Sequence, residues 1–576
     1  MKENWDFKEL EVDEKKTLKE VEDNTNLIAS YKNKQISVSE LKKILDLKQE
    51  IKSGFGKLYA YYSLKQSLNT EDTKALSKLG LFQDISNDIS NKTRFVSIWF
   101  SRLSKEEAKK YYESKELEEY KYHLKNLIKN KKYILDEDKE EIISIKNISG
   151  ADAIVDIYDI LTSRYEYDWE GEIVTQEHVT SFFNNSDPKK REKAYQLVLG
   201  KYKEESVLLS EIYKNIVKDW YNEAIKIRKY KSSISVRNVS NDVSDKSVEV
   251  LLKVCEKNVK VFSEYFKLKH ELNKGKYENS RYHIYAPLDI KQKKYSYEES
   301  KKIVLDTFEE FDKRMYDAAL RIFDKGHVDS HPYKNKRGGA FCYSPTSKVT
   351  PYILLNHTDN LKDVFTMIHE LGHGLHSLAA SKHNEYNFHA NLPLAETASI
   401  FSENLLANKM LRETKKDEEK IDILREIIDS SYASIGRQSF FVLFELKAHE
   451  AVMRGATKEE IDEIYYDILK KQFGDMPIPD EYKHEWNYIP HIHRSPFYCY
   501  AYAWGNLLVL SLYAMYEKEG ESFKDKYWNI LSAGGSKNPQ ELLLEAGIDV
   551  EKEEFWQQGF DIIKRRIKEF KGLVKS

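Results

Sequence analysis

Residues 361–380 read LKDVFTMIHELGHGLHSLAA and carry the clearest structural pattern in the chain. Its apolar residues recur at helical spacing, at positions 364, 365, 367, 368, 371, 375 and 378. Thr358 and Asp359 precede the pattern and offer an N-cap. The sequence therefore predicts one long, largely buried helix.

The predicted helix carries the pentapeptide HELGH at residues 369–373. His369 and His373 are four residues apart (373 − 369), so both imidazoles project from one helix face and can share a metal ion. This spacing suits zinc, and Glu370 between the two histidines suits a general base. We therefore predict a catalytic zinc site.

A catalytic zinc usually takes three protein ligands and leaves one position to water, so a third donor is required. One known pattern places a glycine three residues and a histidine six residues after the second histidine, but this chain has His376 and Ala379 there. Three ligands from one straight helix would also crowd the metal. We interpret His376 as a packing residue or a hydrogen-bond partner of a ligand.

The third donor is expected in PLAETASIFSENLL, residues 393–406, where Pro393 suits the first turn of a second helix. Glu396 and Glu403 are seven residues apart (403 − 396) and would share one face of that helix. We predict Glu396, which lies 23 positions after His373 (396 − 373), as the third ligand. Glu403 is the candidate for a carboxylate that orients a ligand imidazole.

The composition favours helices, because glycine (22) and proline (11) are scarce among 576 residues. Lys plus Arg (92) nearly balances Asp plus Glu (95), and the net charge of −3 argues against nucleic acid or an anionic membrane as a partner. Cys255, Cys342 and Cys499 are widely spaced and lack a C-x-x-C pattern. This argues against disulfides and favours a reducing compartment.

An uncharged stretch, Ser495–Tyr516, competes for a membrane interpretation because a spanning helix needs about 20 apolar residues. Five tyrosines, Asn506 and Ser511 interrupt it, so we interpret it as a buried helix. The N-terminal residues show no apolar export signal. We expect a cytoplasmic protein.

Two lobes are expected along the chain. Turn residues followed by helical periodicity near 180–195 suggest a boundary, with an N-terminal helical lobe at 1–190 and a catalytic lobe at 191–576. Between Lys336 and Asn356 the glycines, prolines and β-prone run Tyr352–Leu355 predict a small strand pair.

HELGHGLH followed by PLAETASIFSE resembles the thimet oligopeptidase and oligoendopeptidase F family of zinc peptidases. The resemblance is closest to oligoendopeptidase F and covers about residues 110–570. Other segments share it: SDPKKREKAY, YHIYAPL (282–288), RGGAFC (337–342), IPHIHRSPFYCYAYAWG (489–505) and LSAGGSKNPQELLLEAGID (531–549).

The resemblance implies a mostly α, two-lobed helical zincin with a deep substrate channel and a small β-sheet beside the active-site helix. It implies one zinc ion per chain and the hydrolysis of internal bonds in short unfolded peptides. By similarity, Gly338, Gly339 and Ala340 would line an edge strand that pairs with the substrate backbone.

The family also carries a histidine followed by tyrosines that contact the scissile carbonyl or the oxyanion. His493, Tyr498 and Tyr502 match its spacing best, and His491 is a rival for His493. Cys499 beside Tyr498 leaves thiol sensitivity open.

Two alternatives stay open. Related helical zinc peptidases act as metallocarboxypeptidases or dipeptidyl carboxypeptidases, and a non-catalytic peptide-binding protein could keep the same fold. The intact Glu370 argues against a non-catalytic protein. The oligomeric state, monomer or dimer, is not indicated by the sequence.

Overall fold

The computed structural model describes residues 4–273, 275–290 and 293–575, most of which are helical. The chain forms two compact units, each assembled from three segments. The first unit combines Met1–Ile134, Gln292–Glu413 and Met515–Ile548; the second combines Leu135–Lys291, Thr414–Ala514 and Asp549–Ser576. This division differs from the predicted boundary at residue 190. Local composition does not show where the chain returns to pack against an earlier segment.

Several helices of the first unit begin with a capping side chain. Ser37 and Glu40 form a capping box at the start of Val38–Leu68, which satisfies free backbone donors. The α-helices are Glu14–Ala29, Val38–Leu68, Thr73–Thr93, Phe95–Arg102, Lys105–Tyr112, Lys121–Asn130, Tyr297–Phe311, Lys313–Asp324, Leu361–Ala380, Leu392–Ala395, Thr397–Glu413, Glu521–Ser532 and Pro539–Glu545. Short 3₁₀ turns occupy Lys8–Leu10, Lys115–Tyr120 and Lys131–Tyr133.

A small three-stranded sheet lies in the first unit. Its central strand, Tyr352–Leu354, is fully buried and pairs antiparallel with Phe341–Tyr343 and parallel with Val328–Asp329. The strand Phe341–Tyr343 therefore lies at one edge of the sheet. The predicted strand pair is present, and the two-residue strand Val328–Asp329 is too short for a sequence pattern to indicate it.

The second unit holds most of the long helix Tyr500–Glu519 and a hairpin of Glu166–Trp169 with Glu172–Thr175. Its other α-helices are Glu137–Ser149, Ala151–Ser163, Gln176–Thr180, Pro188–Glu204, Ser206–Trp220, Ser233–Ser240, Asp245–Asn258, Lys260–Leu272, Asp417–Ser431, Arg437–Met453, Lys458–Phe473, Glu485–Tyr488, Pro490–Arg494 and Glu553–Lys575. π-helical turns at Tyr221–Ile227 and Tyr432–Gly436 and 3₁₀ turns at Ser181–Asn184, Arg281–His283 and Asp480–His484 complete it.

The uncharged stretch 495–516 forms most of Tyr500–Glu519, whose residues from Tyr500 to Ala514 are buried except Tyr502. In the described part of the chain, no helix combines the length and apolar character needed to cross a bilayer.

Candidate metal centre and its surroundings

The HELGH motif lies in the middle of the helix Leu361–Ala380, which we call the histidine helix. Its N-cap is Asn360, which directly follows the predicted pair Thr358 and Asp359, and Asp363 completes the capping box. The Asp363 side chain also accepts from the backbone N–H of Thr358 at 2.6 Å, so Thr358 supports the cap from outside the helix. The long, buried helix predicted here is present.

The two histidines and Glu396 bring three ligand atoms together. His369 Nε2 and His373 Nε2 are 3.2 Å apart, and Glu396 Oε2 lies 3.5 Å from the first and 3.4 Å from the second. In the described residues, this is the one group of three or more His, Cys, Asp or Glu side chains with ligand atoms close enough to hold an ion. A tetrahedral ion with ligands at about 2.0–2.1 Å requires ligand atoms roughly 3.3–3.4 Å apart, so the triangle fits.

Glu396 lies between two helices rather than within one. A short helix, Leu392–Ala395, ends at Glu396, and Thr397–Glu413 begins directly after it; we call the latter the glutamate helix. The prediction of a continuous helix face carrying Glu396 and Glu403 is therefore wrong in this detail, because the chain bends at Glu396. Ser399 donates its hydroxyl to Glu396 Oε2 at 2.8 Å and fixes the carboxylate.

Glu403 lies beside the opposite nitrogen of His369. Its Oε1 is 2.5 Å from His369 Nδ1, which holds the imidazole with Nε2 directed at Glu396. Burial lowers the pKa of His369, but the bond to Glu403 and the charges of Glu396 and Glu370 outweigh it and raise this pKa to about 9. The same negative potential that attracts a proton favours a divalent cation at Nε2.

The histidine and glutamate helices approach closely at Gly372. A Cβ atom there would lie 2.5 Å from Ser399 Cα and 2.8 Å from Ala398 O, so only glycine allows this approach. Sequence reasoning missed both Gly372 and Ser399 as residues that position the site. The available signal was a glycine inside a helix, which costs about 1 kcal/mol relative to alanine unless packing requires it.

Glu370 is 7% exposed and lines two cavities. Burial, followed by repulsion from Glu396 and Glu403, raises its pKa to about 7, against the opposing effects of His369 and the Cys342 backbone N–H. A carboxylate with a pKa near neutrality can both accept and return a proton.

The edge strand forms a wall of the larger of two cavities, and the residues just before it line the smaller one. The larger, about 540 Å³, is lined by residues 340–345 together with Glu370, His373, His376 and others. The smaller, about 390 Å³, is lined by Gly339, Ala340 and Glu370, among others. Glu370 and Ala340 are common to the two.

The residues of the predicted substrate-binding segment, Gly338, Gly339 and Ala340, differ in their contact with the cavities. Gly339 takes a left-handed conformation with φ of 78°, and its carbonyl accepts from Asn356 Nδ2 at 2.7 Å. Gly338 is exposed, and a Cβ there would meet nothing within 4 Å. Gly339 and Ala340 line a cavity, whereas Gly338 is not among the lining residues.

His376 is buried and lies outside the ligand triangle. Burial lowers its pKa to about 4, and the positive field of His373 acts in the same direction. Because its ring lines the larger cavity, its neutral form contributes to the shape of that cavity.

The second unit brings together His491, Tyr498 and Tyr502. The Tyr498 and Tyr502 rings are 5.5 Å apart, and His491 Nε2 lies 3.4 Å from the Tyr502 hydroxyl. All three are partly exposed. Cys499 between the tyrosines is 1% exposed, and burial raises the pKa of its thiol.

His493 is placed differently from His491. It is fully buried, and its ring stacks on Tyr158 at 4.1 Å and lies 6.0 Å from Trp486. Burial lowers its pKa to about 3. The structure therefore groups the two predicted tyrosines with His491 and leaves His493 in an aromatic core.

Comparison with known proteins agrees with this geometry. The sequence profile of Peptidase family M3 matches residues 181–562, and that of Oligopeptidase F matches residues 99–167. A Borreliella burgdorferi protein named "Oligoendopeptidase F homolog" is 28% identical over 99% of this chain and 98% of its own length.

Two solved structures share the fold. A crystal structure from Chlamydophila abortus superposes with a TM-score of 0.87 at 23% identity and covers 99% of this chain and 98% of its own. Oligoendopeptidase-F from Enterococcus faecium superposes with a TM-score of 0.73 at 20% identity, covering 97% and 98%. The chain belongs to peptidase family M3 and is a metalloendopeptidase.

Proposed function

We propose that this enzyme hydrolyses internal peptide bonds of short, unfolded oligopeptides with one zinc ion held by His369, His373 and Glu396. The observation that carries this proposal is the triangle of ligand atoms with edges of 3.2–3.5 Å. Two imidazoles and one carboxylate are the ligand set of a catalytic zinc that keeps one position for water. Cobalt or manganese in the same site could also support turnover.

A zinc ion bound there would lower the pKa of its bound water towards about 7 and would polarise the peptide carbonyl. Glu370 is the general base in this proposal. Its carboxylate takes a proton from the attacking water and passes it to the leaving amine. The raised pKa of Glu370, about 7, supports both transfers near neutral pH.

Glu403 and Ser399 act by positioning. The contact between Glu403 and His369 Nδ1 fixes the tautomer that leaves Nε2 free to bind metal. Ser399 holds the Glu396 carboxylate by its hydroxyl group. Both interactions order the ligands before an ion binds.

The substrate backbone pairs with the edge strand in this proposal. Gly339 and Ala340 precede Phe341–Tyr343, and this segment lines the two cavities that Glu370 also lines. Main-chain pairing gives affinity for extended peptides with little dependence on their side chains. A folded protein cannot offer a free extended strand, so short unfolded peptides are the expected substrates.

For the oxyanion we propose Tyr498 and Tyr502 as hydrogen-bond donors with His491, in place of the predicted His493, as their partner. The contact of His491 with Tyr502 and the partial exposure of all three side chains support this choice. His493 has no such exposure. Losing one oxyanion donor typically costs about 10²–10³ in rate.

We place the enzyme in the cytoplasm, where it would contribute to peptide turnover. Cys255, Cys342 and Cys499 are all free thiols, which suits a reducing compartment. The charge balance of 92 basic and 95 acidic residues gives no reason to expect nucleic acid as a partner.

The decisive test is cleavage of an internally quenched oligopeptide blocked at both termini, with and without a chelator, followed by mass spectrometry of the fragments. The proposal predicts internal cleavage that the chelator abolishes and zinc restores. Release of terminal residues only, from unblocked peptides, would instead identify a carboxypeptidase or dipeptidyl carboxypeptidase. Binding without cleavage by zinc-loaded protein would identify a peptide-binding protein.

A further inference from the structure

A group of basic side chains in the first unit lies outside the metal centre. Lys48 and Lys52 are one turn apart on the helix Val38–Leu68, and His123 is on the helix Lys121–Asn130. The fourth member, His389, lines the larger cavity. We call these four residues the basic cluster.

The helix that carries the lysines touches the wall of the larger cavity. Gly56 follows Lys52 by one further turn, and a Cβ there would lie 3.5 Å from Pro345 O and 3.4 Å from Thr346 Cγ2. Pro345 lines the cavity that also contains Glu370. At 1.5 Å per residue, Lys52 and Lys48 lie about 6 and 12 Å farther along the helix axis.

Tyr386 connects the cluster. Lys52 Nζ lies 4.4 Å from the centre of the Tyr386 ring, and the His123 ring is 4.6 Å from it. Burial lowers the pKa values of both His123 and His389, and the charge of Lys52 acts in the same direction on each, so the three residues are electrostatic neighbours.

The two lysines lack a matching anion. Among residues 4–273, 275–290 and 293–575, neither Lys48 nor Lys52 has a carboxylate within ion-pair distance. Desolvation by the surrounding chain lowers the pKa of Lys52 and the charge of Glu385 opposes this shift, but Glu385 Oε1 accepts from the backbone N–H and hydroxyl of Ser347. Burial, followed by the charge of Lys52, lowers the pKa of Lys48 to about 8.

Two neighbouring lysines without an ion-pair partner destabilise the fold unless an anionic ligand binds to them. Like charges four residues apart on a helix repel, and the half-buried Lys48 ammonium is desolvated without an ion-pair partner, whereas Lys52 is exposed. A carboxylate placed between the lysines would relieve both effects and receive charge-assisted hydrogen bonds.

We propose that the basic cluster is a subsite that binds a carboxylate of the peptide substrate, beside the larger cavity at His389. This inference rests on the proposed oligopeptidase function. The carboxylate is either the C-terminus of the peptide or an aspartate or glutamate side chain. The enzyme therefore selects peptides by a negative charge at a set distance from the scissile bond.

The test compares three forms of one quenched oligopeptide: the C-terminal acid, the C-terminal amide, and an amide with one glutamate near its C-terminus. For each protein, kcat/KM of the two charged forms is divided by that of the neutral amide. The proteins are the wild type, the double variant Lys48→Met with Lys52→Met, and the control Lys43→Met, which changes an exposed lysine of the same helix.

We expect the wild type and the control to favour a charged form by about 10-fold, the effect of a hydrogen bond to a charged group. The double variant should bring the ratio to about 1. Preference for the acid alone identifies the C-terminus, and preference for the glutamate peptide alone identifies a side chain. A wild-type ratio near 1, or a ratio unchanged in the double variant, overturns the subsite.

Binding of the same peptides, followed by fluorescence anisotropy, separates this inference from the proposed function. Binding that favours the charged forms without any cleavage would remove the hydrolytic function and leave the subsite. Equal cleavage and equal binding of charged and neutral peptides would exclude the subsite and leave the hydrolytic function.

Discussion

Glu370 lies between the two histidines of the motif, and its carboxylate is not part of the ligand triangle. Glu370→Gln keeps the shape of the side chain but removes the proton acceptor. We expect kcat to fall by about 10²–10⁴ while zinc content stays near one per chain. Steady-state kinetics and metal analysis on the same preparation check this. Glu413→Gln, at the end of the glutamate helix, is the control, and near-normal turnover by Glu370→Gln would exclude the base role.

His491 and His493 are distinguished by their surroundings rather than by their spacing. His491→Phe removes the partner of the Tyr502 hydroxyl, so kcat/KM should fall by about 10²–10³. His493→Phe should retain most activity because it keeps a ring between Tyr158 and Trp486. The two variants are compared on one peptide, and the opposite ranking would restore His493 as the functional histidine.

The burial of His493 also has a consequence for acid stability. Burial lowers its pKa to about 3, from 6.5, so the unfolded chain binds more protons between these pH values. The stabilisation is complete above pH 6.5 and is lost as the pH falls from 6.5 towards 3. At pH 5 the loss in the free energy of unfolding amounts to roughly 1–2 kcal/mol.

His493→Phe removes this titration. We expect the variant to lose less free energy of unfolding than the wild type between pH 7 and pH 5, measured by denaturant titration at each pH. Equal losses in the two proteins would show that His493 is not buried in its neutral form.

At the scale of elements, the contact between the histidine and glutamate helices depends on Gly372. Gly372→Ala would place a Cβ 2.5 Å from Ser399 Cα, and backbone cannot move aside as a side chain can. We expect a destabilisation of about 1–3 kcal/mol, together with weaker zinc binding because Glu396 and Glu403 move away from His369.

Gly200→Ala is the matched control, because Gly200 lies inside the helix Pro188–Glu204 and a Cβ there meets nothing within 4 Å. It should be neutral or stabilising by up to about 1 kcal/mol. Thermal melting and zinc titration compare the two variants. Equal stability of both would contradict the close approach of the helices.

The elements that could be predicted are those whose signals are local. The long buried helix with HELGH follows from its apolar spacing, and the strand pair follows from the glycines and the β-prone run at 352–355. The break at Glu396 could not be predicted. It depends on the packing of the chain around Gly372 and Ser399, which local propensity does not record.

At the scale of the whole molecule, the sequence predicted a mostly helical metallopeptidase but not how the chain is divided. Each unit takes three separate segments, and the histidine helix packs with elements from its own unit that are distant in sequence. Sequence spacing also could not distinguish His491 from His493 as the functional histidine. His493 is buried by Tyr158, which is distant in sequence, and by Trp486, which is on another helix.

Zinc titration of the wild type and of Glu396→Ala shows whether His369, His373 and Glu396 hold one zinc ion. The metal-free proteins are titrated with zinc against a competing chelator, with Glu413→Ala as the control. We expect one tight site in the wild type and the control, and an affinity at least about 10-fold weaker in Glu396→Ala. Unchanged stoichiometry and affinity in Glu396→Ala would contradict the ligand set.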